Sequence, residues 1–161
     1  MKKLKDHTIE QYFNVLSART PTPGGGSASA LTAAAGVSLL IMVANYSVGK
    51  TDSKVVNRRL EKIIKQSKKI RDRLIELIDL DAEVYRNVVE SRKSSANVQK
   101  AALRQARKIP LEVARLCYKT VSFAPYLVEK GNSNLISDVQ IAVEMLFSSY
   151  TSAMINVEIN Q

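Results

Sequence analysis

Between Asp52 and Ser91 the sequence contains neither glycine nor proline. One stripe of residues recurs there at alternating steps of four and three: Val56, Leu60, Ile63, Ser67, Ile70, Leu74, Leu77, Asp81, Val84 and Val88. That spacing places the stripe on one face of a continuous helix and suits nearly antiparallel packing against other helices. A helix this long spans most of a small domain, so the remaining elements must pack along it. The rest of the chain is also suited to helices: tryptophan is absent, prolines number four, and three of the six glycines fall in a single loop. Apolar residues follow helical rather than alternating spacing throughout. The expectation is one domain over residues 1–161, an all-α antiparallel bundle with a core of its own.

The stripe is polar at two positions. Ser67 can satisfy its hydroxyl on the backbone one turn earlier, but Asp81 puts a carboxylate where a leucine is expected. A buried carboxylate costs several kcal/mol of desolvation unless it is paired, and its pKa rises. Such positions are enriched in acid/base roles. The alternative is a helix that rotates slightly, or ends its packing there, so that Asp81 reaches water or an arginine.

A second constraint lies upstream, in Thr20-Pro21-Thr22-Pro23-Gly24-Gly25-Gly26-Ser27. The prolines stiffen an extended lead-in, the glycines allow close backbone approach, and Ser27 is a good N-cap, which predicts a helix over about 27–49. Its first-turn N–H groups would face the loop and could cradle an anionic or carbonyl-bearing ligand; a stiff connection into a buried helix is the plainer reading. No charged residue stands between Arg19 and Lys50. Much of the run is alanine, however, and Ser29, Thr32, Ser38 and Asn45 are spread through it, so a buried helix is expected rather than a membrane span. Ala30, Ala34 and Gly36 would let neighbouring backbones approach, at the centre of a bundle or the seam of a homodimer.

Around these elements, Ile9 to Ala18 reads as a short amphipathic helix capped by Thr8 or Asp6, with Ile9, Phe13 and Leu16 as its apolar edge. Gly49 is a suitable residue just past the end of the small-residue helix. A further helix is expected from about Ala96 to Lys108, ended or kinked by Pro110 and continued over Leu111 to Val121. Cys117 falls on its apolar stripe as a small core residue. Pro125 to Lys130 adds a turn or two, Gly131 stops it, and a last helix runs from about Asn134 along Leu135, Val139, Ala142, Leu146, Tyr150, Ala153 and Val157.

The net charge is +9, from 24 Lys and Arg against 15 Asp and Glu. The charges lie along helix faces, as in Lys54, Arg58, Lys62, Lys65, Lys68 and Lys69, which is the usual mark of a solvated face. No aromatic stacking array or readout motif accompanies them, so no specific nucleic-acid partner is expected. With one cysteine and one histidine, Cys117 and His7, neither an intrachain disulfide nor a metal site is expected. No export signal follows the basic N-terminus, and the cytoplasm is the default location.

Five segments then occur in a telling order: the Thr20–Ser27 loop with its small-residue helix, Asp81-Ala82-Glu83-Val84-Tyr85, Ile109-Pro110-Leu111, Gly131-Asn132 followed by Ser137-Asp138, and Asn156-Val157-Glu158-Ile159-Asn160. Together they resemble the formiminotransferase-cyclodeaminase family, and more narrowly its cyclodeaminase domain and the stand-alone methenyltetrahydrofolate cyclohydrolases. The resemblance implies an all-helical homodimer with a tetrahydrofolate derivative as substrate and no permanently bound cofactor. It implies either ring closure of 5-formiminotetrahydrofolate with loss of ammonia, or hydrolytic opening of 5,10-methenyltetrahydrofolate to the 10-formyl form. The family's catalytic aspartate falls on Asp81. Pro23, Gly24, Gly25, Gly26 and Ser27 carry over as the substrate loop, with Asp138, Asn156 and Asn160 as polar lining. The sequence departs from the family pattern in a shorter Ser91–Ser95 connection and in stopping at Gln161, where relatives commonly continue. On that account the alternative is a non-catalytic dimeric bundle that binds folate or another anionic metabolite.

Overall fold

A computed structural model describes residues 2–160. Among these residues six α-helices follow one another: α1 (Ile9–Leu16), α2 (Gly25–Ser47), α3 (Lys54–Ser91), α4 (Ala96–Val121), α5 (Ala124–Lys130) and α6 (Ile136–Ile159), with short 3-10 turns at Leu4–Asp6 and Ser133–Leu135. Among the described residues there is no strand. α2 packs between α3 and α6, and α4 covers the other side of both, so α2, α3, α4 and α6 enclose one core. Leu40, Leu60, Ile63, Leu74, Leu77 and Leu146 are fully buried in it.

The α3 stripe buries Leu60, Ile63, Ser67, Ile70, Leu74 and Leu77. Beyond Leu77 the buried line moves to Ile78 and Ala82, which leaves Asp81 half-buried at its margin. Ser53 caps the helix by accepting the Val56 N–H at 3.4 Å. Because Leu74 is fully enclosed, Leu74→Ala should cost about 2–5 kcal/mol by removing buried methyl groups and leaving a cavity. Urea unfolding followed by circular dichroism measures this, and a loss well under 1 kcal/mol would place Leu74 outside the core.

By length and hydropathy alone α2 could cross a membrane. In this fold its apolarity is accounted for by packing, since Ala30, Ala34, Gly36, Val37, Leu40 and Ala44 are all buried against neighbouring helices. The helix begins at Gly25 rather than at Ser27: the Gly24 carbonyl accepts the Ala28 N–H at 3.0 Å, so the glycines themselves form the first turn. It ends at Ser47, and Gly49 takes the left-handed conformation at φ 79°, a region that favours glycine. Its N–H donates to Asn57 Oδ1 at 2.8 Å, tying the turn to α3.

Two further expectations are corrected. Thr8 does cap α1, through reciprocal bonds with Gln11, but the helix faces inward with Tyr12, which is 5 % exposed, while Ile9 and Phe13 are 78 % and 54 % exposed. The cause is long-range: the Tyr12 hydroxyl pairs with buried Ser27 at 3.0 Å. Pro110 does not interrupt α4, which runs unbroken from Ala96 to Val121. The ring is buried against the core, and that packing outweighs the single backbone bond that proline removes. Cys117 is fully buried, and burial pushes its thiol up to about 12, as befits a core residue.

Candidate active site

Four elements meet at one end of the bundle: the N-terminus of α2, the Asp81 turn of α3, the middle of α4 and the C-terminus of α6. They enclose a cleft of about 270 Å³. The loop contributes Pro21, Thr22, Gly24, Gly25 and Gly26; α3 contributes Asp81, Val84 and Tyr85; α4 contributes Ala106; and α6 contributes Asn156, Ile159 and Asn160.

Asp81 lies directly on Gly26, so that a Cβ built at Gly26 would fall inside the carboxyl group. Only glycine permits this approach. It brings the carboxylate to the first turn of α2, whose N–H groups have no partner within the helix. The Ser27 N–H faces the carboxylate and favours its charged form, but burial has the larger effect, and the Asp81 pKa is raised. The Ser27 hydroxyl is 0 % exposed and turns away to Tyr12, whose own pKa is raised by burial. The buried phenol and serine thus form a polar column that leads up to Asp81 in the cleft wall.

A carboxyl whose pKa is higher folded than unfolded keeps its proton to higher pH in the native state. Asp81 therefore costs stability as pH rises from the ordinary aspartate range through its folded pKa, and the cost is complete above that. Asp81→Asn should melt no lower than the parent at neutral pH. Its advantage should shrink as pH falls to about 4, the ordinary aspartate range. Paired melting curves across pH test this, and an advantage that grew toward acid would reverse the sign.

Of the residues expected from sequence, Gly24, Gly25, Gly26, Asp81, Asn156 and Asn160 line this cleft. Pro23 is buried and does not line it, and Ser27 reaches it through its backbone only. Asp138 does not line it. It occupies the first turn of α6, eighteen residues before Asn156, which is about 27 Å along the helix axis at 1.5 Å per residue. There a carboxylate complements the helix dipole. Tyr85 and Thr22 were not expected. Tyr85 follows Asp81 by one turn on the same helix face, and that i, i+4 relation was the available signal. Its ring is 41 % exposed at the mouth, open to stacking against a planar ligand. Among the described residues no three His, Cys, Asp or Glu side chains gather as a metal site would require.

A sequence profile described as formiminotransferase-cyclodeaminase matches residues 8–161. The chain belongs to the formiminotransferase-cyclodeaminase family. Among relatives it is 33 % identical to the methenyltetrahydrofolate cyclohydrolase of Methylorubrum extorquens, over 96 % of this chain and 79 % of that protein. It is 28 % identical to the mouse formimidoyltransferase-cyclodeaminase, over 99 % of this chain but only 31 % of that longer protein. Among solved structures, the formiminotetrahydrofolate cyclodeaminase of Thermotoga maritima superposes with a TM-score of 0.94 at 28 % identity, covering 98 % of this chain and 80 % of that one. The helical bundle described above is thus the fold of a cyclodeaminase in this family.

Proposed function

We propose that this family member acts on the one-carbon unit of a tetrahydrofolate, by hydrolysing the 5,10-methenyl form. The observation that carries this is Asp81 seated on Gly26, a carboxyl of raised pKa beside free helix N–H groups in an open cleft. The 33 % identity to a cyclohydrolase supports the choice of reaction. Water adds to the methenyl carbon as Asp81 takes its proton. The C–N5 bond of the tetrahedral adduct then breaks, N5 receives that proton back, and the hydroxyl proton leaves to solvent as the formyl carbonyl forms. The first-turn N–H groups of α2 and the amides of Asn156 and Asn160 are placed to hold the oxygen and the pterin edge.

Loss of ammonia from the formimino derivative needs the same acid/base group at the same carbon, and the fold match to a cyclodeaminase supports it as the second reading. The two are separated by supplying each substrate in turn. Methenyl consumption without ammonia release from the formimino compound is expected, whereas ammonia release would give the second reading, and turnover of neither would leave a bundle that binds without catalysis.

The protein is also proposed to be a homodimer in the cytoplasm. The groove between α2 and α6 is lined by Ala28, Thr32, Ser148, Ser152 and Ile155 without a charge, and Ile141 and Phe147 are exposed on α6. A second copy would cover this surface.

A further inference from the structure

The Asp81 cleft, at about 270 Å³, falls short of the roughly 300–1,000 Å³ usual for drug-sized ligands. A tetrahydrofolate must therefore extend beyond it. Two neighbouring cavities share lining with the cleft. One, of about 370 Å³, joins it through Gly25 and Asn156 and has no charged wall. The other, of about 660 Å³, joins it through Pro21 and Thr22 and is the larger. Lys2, Lys3 and Arg86 line this second cavity and are exposed, against Glu83 and half-buried Asp79. Among the described residues, Lys3 and Arg86 take part in no ion pair. Asp79 is held by the Leu4 N–H at 2.6 Å on Oδ1, while its Oδ2 and His7 Nδ1 are buried without a hydrogen-bond partner.

We infer that the cavity beyond Pro21 and Thr22 receives the aminobenzoyl-glutamate part of the substrate, its carboxylates held by Lys3 and Arg86. This rests on the folate reading above and assigns the part of the ligand that the Asp81 cleft cannot hold. The aryl ring lies against Leu4, Val15 and Ala82. Exposed cations attract carboxylates through screened charge, so each added glutamyl unit should tighten binding, and added salt should weaken the effect.

The test measures KM for methenyltetrahydrofolate carrying one or three glutamyl units in the parent chain and in Arg86→Glu, Lys3→Glu and Lys119→Glu. It also measures calorimetric binding of aminobenzoyl-triglutamate, which requires no turnover. KM in the parent should fall with tail length. Arg86→Glu and Lys3→Glu should raise KM for the longer substrate by about tenfold, the scale of a reversed charge at a rim, and flatten its dependence on tail length. Effects on kcat should be much smaller. Lys119→Glu, which reverses an exposed charge near the C-terminal end of α4, should behave as the parent. The tail fragment should bind the parent and weaken with Arg86→Glu. If Arg86→Glu and Lys3→Glu match Lys119→Glu, or the fragment fails to bind, the inference is overturned. Absent turnover with fragment binding intact would instead overturn the reaction proposed for Asp81.

Discussion

Asp81→Asn should lower kcat by about 10²–10⁴-fold, the range supplied by a positioned acid/base group, while changing substrate affinity little. The substitution keeps the side chain's shape over Gly26 and removes only the ability to take and return a proton. The new amide can still lie against the first turn of α2, so the cleft should stay open to ligand. The informative measurement is the split between kcat and the equilibrium Kd, the latter from calorimetry with the Asn variant. A large loss of affinity with kcat retained would make Asp81 a binding group and move the proton transfer elsewhere. Rescue of kcat by Asp81→Glu should be poor, because the longer side chain has no room over Gly26.

Gly26→Ala should be nearly as damaging, by a different route. The added methyl would occupy the place of the Asp81 carboxyl, so one of the two must move. Gly26 is already helical and needs no positive φ, and its neighbours Gly24 and Gly25 have open space where a Cβ would lie. Gly25→Ala should therefore be tolerated for folding and leave the Asp81 carboxyl in place, whereas Gly26→Ala should lose about 10²-fold or more in kcat/KM, as a misplacement on the order of 1 Å does. Equal effects at the two positions would show that the loop matters for its flexibility and not for the contact with Asp81.

That contrast shows how far the sequence leads. The extent of α3 and its buried line to Leu77 follow from local periodicity, and so does the anomaly at Asp81, because one face of one helix decides all three. The partner of Asp81 does not follow. A glycine triplet shows that close approach is possible somewhere, but which of Gly24, Gly25 and Gly26 is approached depends on how α3 lies against α2. The inward turn of Tyr12 was hidden for the same reason: its hydrogen bond is to Ser27, fifteen residues away. Pro110 inside α4 is a case of tertiary packing overriding a local breaker. Asn156 and Asn160 share a face by their i, i+4 spacing, and the structure brings that face to the cleft. Asp138 entered through a family motif, and the length of α6 carries it to the opposite end of the bundle.

The most direct test of the central claim is the absorbance of 5,10-methenyltetrahydrofolate with and without the purified protein, at a pH where spontaneous hydrolysis is slow. Decay accelerated by the parent protein and returned to the spontaneous rate by Asp81→Asn is the expected result. Equal decay with and without the parent protein, in a preparation that is folded and binds the ligand, would contradict hydrolysis at Asp81.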